Sequence, residues 1–258
     1  MSAPDRPTVS ENPLIRQATA VVERSEQSGV LLRLMGGIAV ALHSPSADHR
    51  GLQRDYADID FVSGSANGHK FDELFAEIGY MPDKRFNSLN GQTRRLYFDA
   101  EGTRQIDLFV TSFRMCHELP LGSRLEVDSP TIPLAELFLS KAQIVELNHK
   151  DTLDLFALLS DHRVGSGDDE TLNVDRIAEL CAKDWGLWRT VTWTLDRLRA
   201  ILEANPGELD VPLIDTRIGE LIQGIDDAPK SMRWKARARI GDRVQWYELP
   251  DDPHRKIG

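Results

Sequence analysis

The hydrophobic pattern changes character once, close to Pro133, and that change limits the possible folds more than any other feature of the chain. Ahead of it, Val30 to Met35, Ile59 to Val62 and Thr103 to Val110 are short apolar runs edged by glycine and polar residues, as buried strands are. Residues 10 to 29 repeat Leu14, Ile15, Ala18, Val21 and Val22 on one helical face, and Ile38 to Leu42 and Phe71 to Ile78 read as shorter helices. Arg94 to Asp99 and Thr103 to Val110 form a hairpin around Ala100-Glu101-Gly102, and Arg124 to Val127 is expected to add an edge strand. Beyond Pro133, the segments 134 to 147, 151 to 159, 174 to 182, 187 to 202 and 213 to 222 all carry a helical period. The pattern predicts an α+β chain: a mixed sheet with flanking helices over residues 1 to 130, then a helical domain over residues 131 to 258 that contains a basic stretch.

Composition removes several classes. No apolar run approaches the roughly 18 residues of a membrane span, and the polar opening Met1 to Thr8 reads as a flexible tail without the apolar core of a signal peptide. The two cysteines, Cys116 and Cys181, are too few and too far apart for a disulfide framework or a cysteine zinc site. The histidines show no paired zinc spacing, and no Gly-x-Ser-x-Gly elbow is present. Trp185, Trp188 and Trp193 are expected in the core of the helical half. The chain is expected to be soluble and cytoplasmic. A net charge of −10 argues against coating nucleic acid by charge alone, although Lys230 to Arg239 holds five cations and no acid.

The chemistry concentrates in Asp58-Ile59-Asp60. Side chains two apart on a strand share a face, and two neighbouring carboxylates beside Ile59, Phe61 and Val62 repel unless something offsets their charge. A lone Asp-x-Asp is more often a solvated strand end. Here a second apolar strand, Gln105 to Val110, carries one further inward acid, Asp107, and three clustered acids can hold two divalent ions. The Leu34-Met35-Gly36-Gly37-Ile38-Ala39 segment adds a strand, a glycine pair and a helix start, where free N–H groups face an anion.

Taken together, Met35-Gly36-Gly37, Asp58-Ile59-Asp60 and Asp107 resemble the signature of the DNA polymerase β-like nucleotidyltransferase superfamily. Within it, Gly36-Gly37-Ile38-Ala39, Arg54 to Phe61, Leu137 to Lys141 and His149 to Phe156 look most like the abortive-infection toxins of type IV toxin-antitoxin systems and the antibiotic nucleotidyltransferases. The likeness covers roughly residues 30 to 160. It implies the nucleotidyltransferase fold, with Asp58, Asp60 and Asp107 as catalytic metal ligands for Mg²⁺ or Mn²⁺. It also implies Gly36 and Gly37 at the NTP phosphates, with Lys141, Lys150 and Arg54 neutralising the triphosphate; Lys141 and Lys150 are expected to be exposed. The implied reaction moves a nucleoside monophosphate from an NTP to an acceptor hydroxyl. A toxin-like enzyme would act on tRNA and have an antitoxin partner; an antibiotic-modifying enzyme would take a small hydroxylated molecule. A non-catalytic nucleotide- or RNA-binding module of the same fold is the alternative of another class. Asp151 and Asp154, at a helix start, are read equally as helix cap and dipole partners or as site residues. Two departures stand out: the Gly37 to Asp58 spacer is long for the family, and Tyr56 stands where a serine or threonine is common.

Overall fold

A computed structural model describes residues 8–49 and 51–249; most of the expected flexible tail, residues 1–7, lies outside them. The amino-terminal half begins with α1 (Pro13–Gln27), started by Asn12, whose side chain accepts from the Leu14 and Ile15 amides, and by Pro13 in the first turn. It buries the five apolar residues that the spacing singles out. The next elements are β1 (Leu32–Met35), α2 (Gly36–His43), β2 (Ile59–Ser63), α3 (Gly68–Ala76), β3 (Tyr80–Pro82), α4 (Lys84–Asn90), β4 (Arg94–Asp99) and β5 (Gln105–Val110).

These strands form one mixed sheet in the order β1-β2-β5-β4-β3, with β2 and β5 parallel and the other neighbours antiparallel. The β4–β5 hairpin turns where expected, with Asp99 accepting from the amides of Thr103 and Arg104. Register divides the sheet into two faces. Leu32, Leu34, Phe61, Leu108 and Tyr97 share one face, and there Phe75 of α3 stacks on Phe61 at 5.7 Å and meets Tyr97 edge-on at 4.6 Å. Met35, Asp60, Asp107, Leu96 and Arg94 share the opposite face.

Two short strands, β6 (Ser112–Arg114) and β7 (Glu118–Pro120), form a separate hairpin that was not foreseen. The expected edge strand at 124 to 127 is absent. Gly122 to Arg124 is a 3-10 turn, because Arg124 folds inward to pair with buried Glu136 at 2.9 Å and with Asp168 at 2.6 Å.

Past residue 130 the chain is helical: α5 (Leu134–Ala142), α6 (His149–Asp161), α7 (Val174–Lys183), α8 (Trp185–Ala204), α9 (Val211–Asp227) and α10 (Met232–Ile240), with a small parallel pair β8 (Arg163–Gly165) and β9 (Thr171–Asn173) between α6 and α7. Asn148, Asp184, Asp210 and Ser231 cap four of these starts through side-chain acceptors. Helices α5 and α6 pack on α2, and the hydrophobic core is continuous across residue 130. Trp185 is buried as expected; Trp193 is 36% exposed, held over by Arg189 and Arg197 on its own helix. Among the described residues, no helix is long and apolar enough to cross a membrane.

Candidate active site

The sheet brings the three acids into register. Asp60 lies opposite Met35 on one side and opposite Asp107 on the other, so the end of β1, β2 and β5 meet at one level of one face. Asp58 falls one residue ahead of the β2 ladder and is exposed, so it sits at the lip of the site. Asp60 is half-buried and Asp107 is 5% exposed.

Gly36 explains how Asp60 fits. Its φ is +69°, a conformation that favours glycine, and a Cβ there would lie 2.0 Å from Asp60 Oδ2. The carboxylate therefore rests against the Gly36 backbone at the turn into α2. Gly37 does the same for Arg54: a Cβ at that position would lie 1.3 Å from Arg54 Nη2. The glycine pair is a cradle for two oppositely charged side chains.

Arg54 leads on to the helical half. Its Nε meets Asp154 at 2.8 Å, and Lys141 Nζ meets both Asp154 and Asp151 at 2.9 Å. Asp151 also exchanges hydrogen bonds with Asn148, the cap of α6, as a partner at the helix start. Lys141 is not the exposed cation anticipated: only 13% of its side chain is exposed, and although burial opposes its charge, Asp154 and Asp151 raise its pKa. Lys150 is exposed on the first turn of α6 and takes no part in this cluster. The long spacer is folded back on the body, with Ser46 bound to Asp161 at 2.7 Å and Asp48 accepting from the Val9 amide. Arg54 lies over the Tyr56 ring at 5.0 Å, which gives the bulkier residue at that position a partner.

Burial, and then the charge of Asp107, push the Asp60 carboxyl up to about 7, with Asp58 adding to this and Lys141 and Arg54 opposing it. Burial also raises Asp107, against the pull of Arg94. Arg94 is the site residue that the sequence reading missed. Its guanidinium grips both Asp107 oxygens, Nε to Oδ1 at 2.8 Å and Nη2 to Oδ2. The hairpin register held the clue, since Leu96 pairs with Asp107 and Arg94, two residues earlier, lies on the same face.

Five carboxylates (Asp58, Asp60, Asp107, Asp151 and Asp154) thus face three cations (Arg54, Arg94 and Lys141). Oxygen donors with surplus negative charge suit a hard divalent cation, and the raised Asp60 fits a group that needs either a proton or a metal. Asp58 and Asp60 would hold such an ion. Asp107 is turned to Arg94, and among the described residues no three His, Cys, Asp or Glu side chains are gathered so as to hold a metal ion in this arrangement.

The basic stretch is partly committed to the fold. Lys230 donates to the backbone carbonyls of Ala228 and Asp226 at the end of α9, and Arg237 stacks on Trp185 at 4.3 Å while donating to the Gly241 and Val244 carbonyls. Arg233, Lys235 and Arg239 remain exposed on α10.

No protein-family model and no curated protein matches the chain. Among solved structures, a similar one is an antigenic nucleotidyltransferase-like protein from Paracoccidioides brasiliensis, at 13% sequence identity and a TM-score of 0.38, with 85% of this chain and 95% of that chain covered.

Proposed function

We propose that this protein transfers a nucleoside monophosphate from an NTP to an acceptor hydroxyl, releasing pyrophosphate, with Mg²⁺ or Mn²⁺ as cofactor. The observation that supports this best is the pairing of Asp60 with Asp107 on parallel strands, beside a Gly36-Gly37 turn whose first residue supports the Asp60 carboxylate. A divalent cation supplies such a reaction with charge at the phosphate oxygens and at the attacking hydroxyl. Asp58 and Asp60 would orient that cation. The free amides at the start of α2 would receive phosphate oxygens. Arg54 and Lys141, already within the electrostatic reach of Asp60, would compensate phosphate charge without entering as new cations. Asp107, once released from Arg94, would accept the proton of the acceptor hydroxyl.

The acceptor proposed is RNA, a tRNA end in a toxin-like enzyme with an antitoxin. Three exposed cations on α10 are consistent with phosphate contacts, fewer than the five that the sequence alone offers. The second reading, a non-catalytic nucleotide- or RNA-binding module, draws support from the Arg94 fork on Asp107. The two separate in one experiment. The full chain is incubated with each α-labelled NTP, Mg²⁺ and total RNA, and in parallel with a panel of aminoglycosides and lincosamides. Label in RNA that is lost in Asp60→Asn supports the first reading. Nucleotide binding without label transfer to any acceptor refutes it in favour of the module, and label on a small molecule moves the acceptor to the antibiotic class.

A further inference from the structure

We propose that Arg94 is a removable cap on Asp107, a positioning residue that withholds the third acid from a divalent cation until its guanidinium swings into the cavity beside it. The inference rests on the metal-site reading above.

The cap is built rather than incidental. Both Asp107 oxygens are engaged by one guanidinium, a geometry that arginine provides and lysine does not. Asp107 lies deep in the face of the sheet, so while the fork is closed its oxygens face a fixed positive group. A divalent cation drawn to Asp60 would meet that guanidinium close by, and like charges at such a distance oppose binding.

Arg94 also has somewhere to go. Its guanidinium carbon lies 5.2 Å from the centre of the Phe109 ring and 5.9 Å from that of Phe86. Those rings, with Arg94 itself, wall a cavity of about 250 Å³. Two carboxylates, Glu118 of β7 and Glu248 of the carboxy-terminal segment, also line it. Glu118 is exposed and has no side-chain partner among the described residues, and Glu248 shares an exposed pair with Arg114 at 3.3 Å. An arginine between two aromatic rings can pivot while keeping its cation–π contacts, leaving Asp107 for Glu118 and Glu248. The second seat is well anchored. The Glu248 amide donates to the Cys116 carbonyl at 3.0 Å, and Trp246, two residues earlier, donates to Thr190 Oγ1 at 3.0 Å. The consequence is a site whose third acid is neutralised at rest and becomes available only when Arg94 changes partner.

The test reads metal binding, not turnover. Free Mn²⁺ is followed by electron paramagnetic resonance during titration of the full chain without nucleotide. Arg94→Met keeps the stem between the two rings and removes the fork; Mn²⁺ should bind about tenfold more tightly. Arg94→Lys keeps the charge without the fork and should tighten binding about threefold. Glu118→Gln combined with Glu248→Gln changes only exposed side chains, removes the second seat, and should weaken Mn²⁺ binding several-fold. A merely structural ion pair would lower the melting temperature of Arg94→Met and leave the Mn²⁺ affinity of all three variants at the wild-type value; that result overturns the cap. Should Arg94→Met not fold, wild-type affinity in Arg94→Lys and in the double glutamine variant overturns it equally. Asp60→Asn separates the two levels. If it abolishes Mn²⁺ binding while the Arg94 variants change nothing, the cap alone fails. If it binds Mn²⁺ like the wild type, the metal-site reading fails, and the cap with it.

Discussion

Asp60→Asn should stabilise the metal-free protein above neutral pH, although it removes a charged residue from a candidate active site. Burial and the charge of Asp107 move the Asp60 carboxyl from 3.8 to about 7 on folding. A group whose pKa is raised by folding binds more protons in the native than in the unfolded state between those two values. Stability therefore falls as pH rises through that window, from about 4 to about 7. At roughly 1.4 kcal/mol for each tenfold change, the full penalty at pH 8 is about 4 kcal/mol. Asp60 is only half-buried, and solvent screening reduces this to about 2 kcal/mol. Asparagine is close in shape and carries no charge, so it should recover that amount, or about 4–8 °C in melting temperature for a chain of this size. The assay is thermal unfolding followed by circular dichroism in EDTA at pH 5 and pH 8. Wild type should lose stability relative to the variant between the two. Comparing the curves cancels other titrating groups, including His117 and His162, whose pKa values burial lowers. Mg²⁺ should then reverse the ranking at pH 8, because binding to the native state stabilises the wild type by about 2.7 kcal/mol at a hundredfold excess over Kd and the variant hardly at all. A variant less stable than wild type at pH 8 in EDTA would refute the argument, since Asp60 would then contribute more through Lys141 and Arg54 than it loses through burial and repulsion.

Gly36→Ala should lower stability by about 1–2 kcal/mol for the positive φ alone, and should also abolish the Mg²⁺-induced rise in melting temperature, because its methyl group displaces the Asp60 carboxylate; an unchanged Mg²⁺ response would show that Asp60 is not seated there. Gly37→Ala meets only the end of a flexible side chain, so it should keep the fold yet weaken NTP binding by isothermal titration as Arg54 is pushed aside. Lys141→Ala leaves Asp151 and Asp154 without a shared partner and should cost about 3 kcal/mol in urea unfolding, whereas Lys150→Ala should leave stability unchanged; equal unfolding midpoints for the two would contradict the ion-pair cluster. Neutralising Arg233, Lys235 and Arg239 together should reduce the salt dependence of RNA binding by about two to three in the log-log slope, and an unchanged slope would place RNA elsewhere or exclude it.

What the sequence made legible, and what it hid, follows from the range of the interactions involved. The β2 and β5 strands could be read because each carries a continuous apolar run, and the pairing of Asp60 with Asp107 follows once those runs are neighbours. The helices after Pro133 could be read because they are long enough to show a period. The segments that escaped are β3 with α4, β6 with β7, and β8 with β9; each of these strands is three residues long, too short for any alternation to register. The strand expected at Arg124 to Val127 does not form for another reason: the 3-10 turn that leads into it is held by Glu136, twelve residues beyond Arg124, and Asp168, forty-four beyond.

The site shows the same division. The acids and the glycine pair are local patterns, whereas the cations assigned to phosphate carry a positive charge that many tertiary contacts can claim. Lys141 is claimed by Asp151 and Asp154, Lys230 by the end of α9, and Arg237 by Trp185. Lys150, equally plausible from its neighbours, is claimed by none among the described residues. Arg94 reverses the case, since nothing adjacent to it marks it as functional and only the hairpin register brings it to Asp107. A carboxylate near neutral charge balance requires a counter-charge, and in this fold the counter-charge comes from across the sheet. The reading of an acid in sequence is therefore incomplete until the basic residues diagonal to it on the neighbouring strand have been counted. For Asp107 that residue is an arginine able to occupy both oxygens, which makes the partner of the third acid, rather than the acid itself, the variable that decides how the site is charged at rest.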